Sequence, residues 1–171
     1  ADTGADETRQ TLVGVAAAPY DMPVSGAATR MGDVAATGES ERAPGNLPAQ
    51  ATSFVAPDGA VDGVAQAFER SRCVTLTGPG GIGKTRLSLE VAARLDERFP
   101  DGTWFVELAG VADPTLVERA VADTLGARER PGEPLATSIH ERIGDSRLLV
   151  VLDNCEHLVD SAAAVASNLM R

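Results

Sequence analysis

Lys84, Thr85, Asp153 and Glu156 are the residues whose types and spacing could do phosphate chemistry. Lys84 and Thr85 close the run Gly78-Pro79-Gly80-Gly81-Ile82-Gly83-Lys84-Thr85, and Arg86 follows. Glycines let a backbone wrap closely round an anion, so that successive N–H groups point inward as a nest. A helix beginning at the end of such a loop adds the partial positive charge of its N-terminus to the same spot. A lysine there reaches the outer phosphates of a nucleotide, and the neighbouring hydroxyl suits Mg2+. A glycine-rich turn can match G-x-x-x-x-G-K-T by accident. Here an apolar run at 73–77 precedes the loop and a helical pattern at 86–98 follows it, the context the motif requires.

Lys84 is also the single lysine of the chain, beside fourteen arginines. A sequence that uses arginine for its other side-chain cations keeps lysine at the place where a compact ammonium fits between phosphates and a planar fork does not. The Mg2+ then needs a second anchor, an acid at the carboxyl end of a neighbouring buried strand. Leu148-Leu149-Val150-Val151-Leu152 is five consecutive apolar residues, as in a strand covered on both faces, and Asp153 ends it. Ligands of open α/β sheets gather at the carboxyl ends of strands, which would place Asp153 and the loop on one crevice. The alternative for Asp153 is a helix N-cap.

Asn154, Cys155, Glu156 and His157 follow. Vigorous ATPases often set a glutamate straight after the Mg2+-binding aspartate to polarise water; Asn154 stands there and cannot act as a base. Glu156 is the remaining catalytic candidate, provided the chain turns back towards the γ-phosphate. His157 senses phosphate or packs, and His140 lies on the outer side of an amphipathic helix. Slow or absent hydrolysis is the expectation.

Alternating strand and helix patterns position these residues. Val61, Val64, Ala65 and Phe68 form one helical face, and Leu87, Val91, Ala92 and Leu95 another. A strand is expected at 103–108. Asp113-Pro114 starts a helix that Gly126 can end, a further helix spans 135–143, and a last one spans 162–170. The pattern is an α/β fold, a parallel sheet with helices on both faces. Residues 1–45, rich in small and polar types, read as a disordered segment, with 12–15 as their one apolar cluster. Residues 46–171 read as the folded domain.

The net charge of −10 argues against direct nucleic-acid contact from this chain. No run of about eighteen apolar residues predicts a membrane span, and no signal peptide is read. Cys73 and Cys155 fall in apolar strand regions and read as small buried thiols, which fits the cytoplasm. The chain begins with Ala, so it reads as a fragment.

Three stretches carry a resemblance: Leu76 to Leu87 around the loop, Phe99-Pro100-Asp101-Gly102-Thr103-Trp104-Phe105-Val106-Glu107-Leu108, and Leu149-Val150-Val151-Leu152-Asp153-Asn154-Cys155-Glu156-His157-Leu158. Together they resemble the P-loop NTPase domain of bacterial STAND-type regulators, the LuxR-like and SARP-like transcriptional regulators related to the NB-ARC class. The resemblance implies an ATP/ADP switch with Mg2+ that permits oligomerisation in the whole regulator. By position, Gly78 through Arg86 would bind phosphate, and Thr85 and Asp153 would hold the metal. It departs at Phe54-Val55-Ala56-Pro57-Asp58, where the family shows Phe-Val-Gly-Arg-Glu. The resemblance also implies an incomplete domain, stopping after the Asp153 strand and one helix. An empty slot would then separate the loop strand from the Asp153 strand. An ordinary P-loop ATPase or small-molecule kinase, and a non-functional truncated remnant, are the competing readings.

Overall fold

A computed structural model describes residues 44–50 and 58–171, and the backbone of a short strand at Val13–Ala17. The strands are β1 (Val13–Ala17), β2 (Cys73–Leu76), β3 (Thr103–Glu107) and β4 (Leu149–Asp153). The helices are α1 (Ala60–Ala67), α2 (Lys84–Leu95), α3 (Val117–Leu125), α4 (Leu135–Ile143) and α5 (Val159–Leu169). Expected and observed elements agree closely over this part of the chain. The departing segment 54–57 lies outside the described residues.

The strands form one four-stranded sheet in the order β2-β1-β4-β3. β3 and β4 are parallel, with Glu107 opposite Asp153 at their carboxyl ends. β1 runs antiparallel to both of its neighbours, with Val15 opposite Val74 on one side and Val151 on the other. β2, β4 and β3 therefore share one direction, and β1 is reversed among them. This corrects two expectations. The sheet is mixed rather than wholly parallel, and the slot between β2 and β4 is filled by a strand from within residues 1–45. The remaining residues of that segment, apart from Pro44 and Gly45, lie outside those described. A slot between two parallel strands presents N–H and C=O groups on both sides, and an extended segment of either direction can satisfy them.

Side chains alternate across β4 and divide the core. Leu149 and Val151 pack with Phe105, Val91, Leu95 and Phe68 on the α1–α2 face. Val150 and Leu152 pack with Val106, Leu108 and the inner sides of α3, α4 and α5 on the other. All five residues of β4 are at most 1% exposed. Burial on both faces is what the uninterrupted apolar run required.

The outer edge of β3 is closed by the chain itself. Thr103 N–H donates to Pro44 O at 3.0 Å, and Asn46 N–H donates to Thr103 O at 3.2 Å. The Asn46 side chain continues the ladder: Nδ2 donates to Phe105 O at 2.9 Å, and Oδ1 accepts from Phe105 N–H at 2.6 Å. An amide side chain thus stands in for a peptide group, covering an edge that would otherwise invite pairing. The approach is close enough that a Cβ on Gly102 would lie 2.3 Å from Pro44 O.

Asp113 caps its helix as expected, accepting Thr115 N–H at 2.9 Å; one 3-10 turn, Pro114–Leu116, precedes α3. Among the described residues, no helix is long and apolar enough to cross a membrane.

Candidate phosphate-binding site

β2 ends at Leu76, and the glycine loop runs directly into α2 at Lys84. Two positions demand glycine. Gly81 has φ 76° and Gly83, the N-cap of α2, has φ 94°, a region L side chains enter at a cost. No side chain caps α2, and its first turn holds no acid. Its leading N–H groups and its dipole therefore face the loop without an internal anion competing for them.

Lys84 is 8% exposed, and its Nζ donates to Gly78 O at 2.8 Å and Pro79 O at 2.7 Å. The ammonium thus lies within the curl of the loop. Pro79, Gly80, Gly81 and Ile82 are exposed, Ile82 at 67%, whereas Gly78, Gly83, Thr85 and Arg86 are half-buried. Thr85 Oγ1 donates to Asp153 Oδ1 at 3.0 Å, joining the start of α2 to the end of β4 across 68 residues of sequence. The fold thus brings together Gly78, Pro79, Gly80, Gly81, Ile82, Gly83, Lys84, Thr85 and Arg86 with Asp153.

Thr85 and Asp153 present hard oxygen donors side by side, the set Mg2+ takes from a protein when phosphate and water complete its shell. Among the described residues, no group of three or more His, Cys, Asp or Glu is arranged as an all-protein metal site. Asp153 is only 1% exposed, and burial pushes its carboxyl above the ordinary range. The Thr85 hydroxyl and the Asn154 backbone N–H pull it back, while Glu107 and Glu156 push it further up. A cation held at Thr85 and Asp153 would offset that cost.

The sign of the linkage yields a test. A carboxyl whose pKa is raised on folding binds more protons folded than unfolded. Its relative contribution to stability is fully present below the ordinary aspartate value and is lost as pH rises through the raised one. Asp153→Asn should therefore gain stability relative to the native chain at neutral pH, and the gain should shrink towards zero as pH falls below about 4. Urea unfolding of both proteins across pH would show it. A difference independent of pH would mean that folding does not raise the Asp153 carboxyl.

Glu156, the catalytic candidate from sequence, does not join this cluster by any hydrogen bond; it is exposed in the turn after β4. Asn154 takes φ 55°, a left-handed conformation asparagine tolerates, with Nδ2 3.5 Å from Asp153 Oδ2. His157 is exposed, with Nε2 2.8 Å from Val111 O. His140 is also exposed. Cys155 is buried and Cys73 half-buried; neither is in a disulfide, and burial pushes the Cys73 thiol up. Sequence reasoning passed over Glu107, which ends β3 as Asp153 ends β4. A cavity of about 470 Å3 lies elsewhere, between Pro44–Gln50 and the C-terminal half of α2, lined by acids and apolar groups rather than cations. The glycine loop therefore remains the candidate phosphate site.

Comparison with known proteins relates the chain to regulators and to a domain family. The chain is 39% identical over 120 residues to an uncharacterized protein of Mycobacterium tuberculosis, covering 70% of this chain and 30% of that one. It is 42% identical over 101 residues to a provisionally named HTH-type transcriptional regulator of the same species, covering 59% of this chain and 11% of the relative. It is 37% identical over 87 residues to the regulatory protein AfsR of Streptomyces coelicolor, covering 46% of this chain and 9% of AfsR. The chain thus spans less than a third of each of these relatives. No solved structure matches it. The family model for the AAA domain matches residues 67–171, which hold the loop, Asp153 and every strand but β1. That is more than half of the sequence, and the chain belongs to the AAA domain family.

Proposed function

We propose that this domain is the ATP/ADP-binding switch of a cytoplasmic, signal-transducing transcriptional regulator of the STAND, NB-ARC-like class, with weak hydrolysis. The observation that carries the reading is the Thr85–Asp153 hydrogen bond at the mouth of the glycine loop, beside Lys84. It unites a phosphate nest, a compact cation and two magnesium ligands at one point. Residues 78–86 hold the phosphates, and Thr85 and Asp153 hold Mg2+. The regulatory role is supported by relatives whose names describe transcriptional regulators. DNA contact falls to other parts of such a protein, since this chain carries a net charge of −10. Oligomerisation of the whole regulator would be the step that exchange of ADP for ATP releases.

The weak-hydrolysis side of the reading rests on Asn154, an amide at the position next to the magnesium aspartate. Titration of the purified chain with fluorescent ADP and ATP analogues, with and without Mg2+, tests the proposal. The expected result is saturable binding strengthened by Mg2+, with ADP the tighter ligand. Rapid steady-state phosphate release would turn the reading towards an ordinary ATPase; absence of binding to either nucleotide would end it.

A further inference from the structure

We infer that Glu107, and not Glu156, is the general base that takes the proton from water when this domain hydrolyses bound ATP. The inference rests on the nucleotide reading above and adds a residue to it. Glu107 and Asp153 are partners in the parallel register of β3 and β4, so their backbones lie about one strand spacing, roughly 4.8 Å, apart. Leu108 N–H donates to Asp153 O at 3.0 Å, fastening the two strand ends together.

Alternation decides the face. Phe105 packs with Val151 on the α2 side of the sheet, while Val106 packs with Leu152 on the opposite side. Two residues on from Phe105 is Glu107, and two on from Val151 is Asp153. Both acids therefore stand on the face over which α2 begins, where Thr85 meets Asp153. Glu107 is exposed, and among the described residues no side chain pairs with it.

The other groups near the end of β4 are worse placed. Asn154 has no basic atom. Cys155 is buried among the α3–α5 side chains, so the chain has turned to the opposite face before Glu156 is reached. His157 is directed to Val111 O. In the step assigned to Glu107, the water oxygen forms a bond to the γ-phosphorus while the bond from that phosphorus to the β–γ bridging oxygen breaks. The electron pair of that bond leaves with ADP, and the water proton passes to the Glu107 carboxylate.

The experiment measures two quantities on each of the native chain, Glu107→Gln, Glu107→Asp and Glu156→Gln. One is affinity for a fluorescent ADP analogue; the other is single-turnover phosphate release from ATP with protein in excess. Glu107→Gln should bind ADP and unfold thermally like the native chain while phosphate release falls about 100-fold. Glu107→Asp should keep an intermediate rate, and Glu156→Gln should match the native chain. Undiminished release by Glu107→Gln, or the loss appearing in Glu156→Gln, overturns the assignment. So does equal weakening of ADP binding and release in Glu107→Gln, the mark of a structural role. A native chain that binds ADP but never releases phosphate overturns the role of Glu107 and leaves the nucleotide reading standing. A native chain that binds nothing overturns that reading itself.

Discussion

Lys84→Ala is expected to weaken binding of ADP and ATP analogues about 100-fold while leaving the fold in place. The size follows from what the ammonium would do once phosphate is present. It now spends its protons on Gly78 O and Pro79 O, neutral acceptors in its own loop. Phosphate oxygens would replace them with charge-assisted bonds of about 1.5–3 kcal/mol, and each 1.4 kcal/mol is worth a factor of about ten in affinity. The fold should survive, because alanine is a good residue for the first turn of α2. The variant loses the lysine bonds to Gly78 O and Pro79 O, but Gly81 and Gly83 still permit the positive-φ turns of the loop. Lys84→Arg should not restore binding, since a planar fork does not fit the curl that encloses a buried ammonium. Fluorescence titration gives the affinities and thermal unfolding the control. An alanine variant that bound ADP like the native chain would remove the loop from the nucleotide site.

The loop was legible because its residue types answer local demands. Positive φ at Gly81 and Gly83 needs glycine, a phosphate nest needs their bare backbone, and a lone lysine among arginines stands out in composition. β4 was legible for a related reason: burial on both faces leaves no room for polar residues, so Leu148 to Leu152 reads as a strand wherever it lies in the sheet. Cross-strand relations were harder to read. Nothing local to residues 103–108 says that Glu107 lies opposite Asp153, because register belongs to the pair of strands. One clue was available, since both apolar runs end in an acid. Asn46, whose amide continues the β3 ladder, likewise acts 59 residues away from its partner. β1 left only the faint trace of the apolar cluster at 12–15. Val13-Gly14-Val15-Ala16-Ala17 holds a glycine and two alanines, too small and too short to stand out as a strand, and its membership comes from the slot it fills.

That slot makes Val15→Pro the other substitution with a large expected effect. Val15 sits at the middle of β1 and is in register with Val74 of β2 and Val151 of β4, so it has no solvent edge on either side. Proline there removes a ladder donor and strands an acceptor on one neighbour, a loss of about 1–3 kcal/mol before any clash of the ring is counted. The functional consequence should exceed the energetic one. Among the described residues, β1 is the strand that joins β2, which leads into the glycine loop, to β4, which carries Asp153. Loosening it frees the two halves of the site to separate, and the 3.0 Å bond between Thr85 and Asp153 is what that separation would break first. Val15→Pro should therefore unfold at lower urea concentration and lose the Mg2+-dependent part of its ADP affinity. It should keep more of the affinity measured without Mg2+, because the loop and the start of α2 form one local unit. Lys84→Ala should weaken binding in both conditions, which separates a missing phosphate contact from a displaced magnesium ligand. A Val15→Pro chain that unfolds and binds like the native one would show that β2 and β4 keep their spacing without the strand between them.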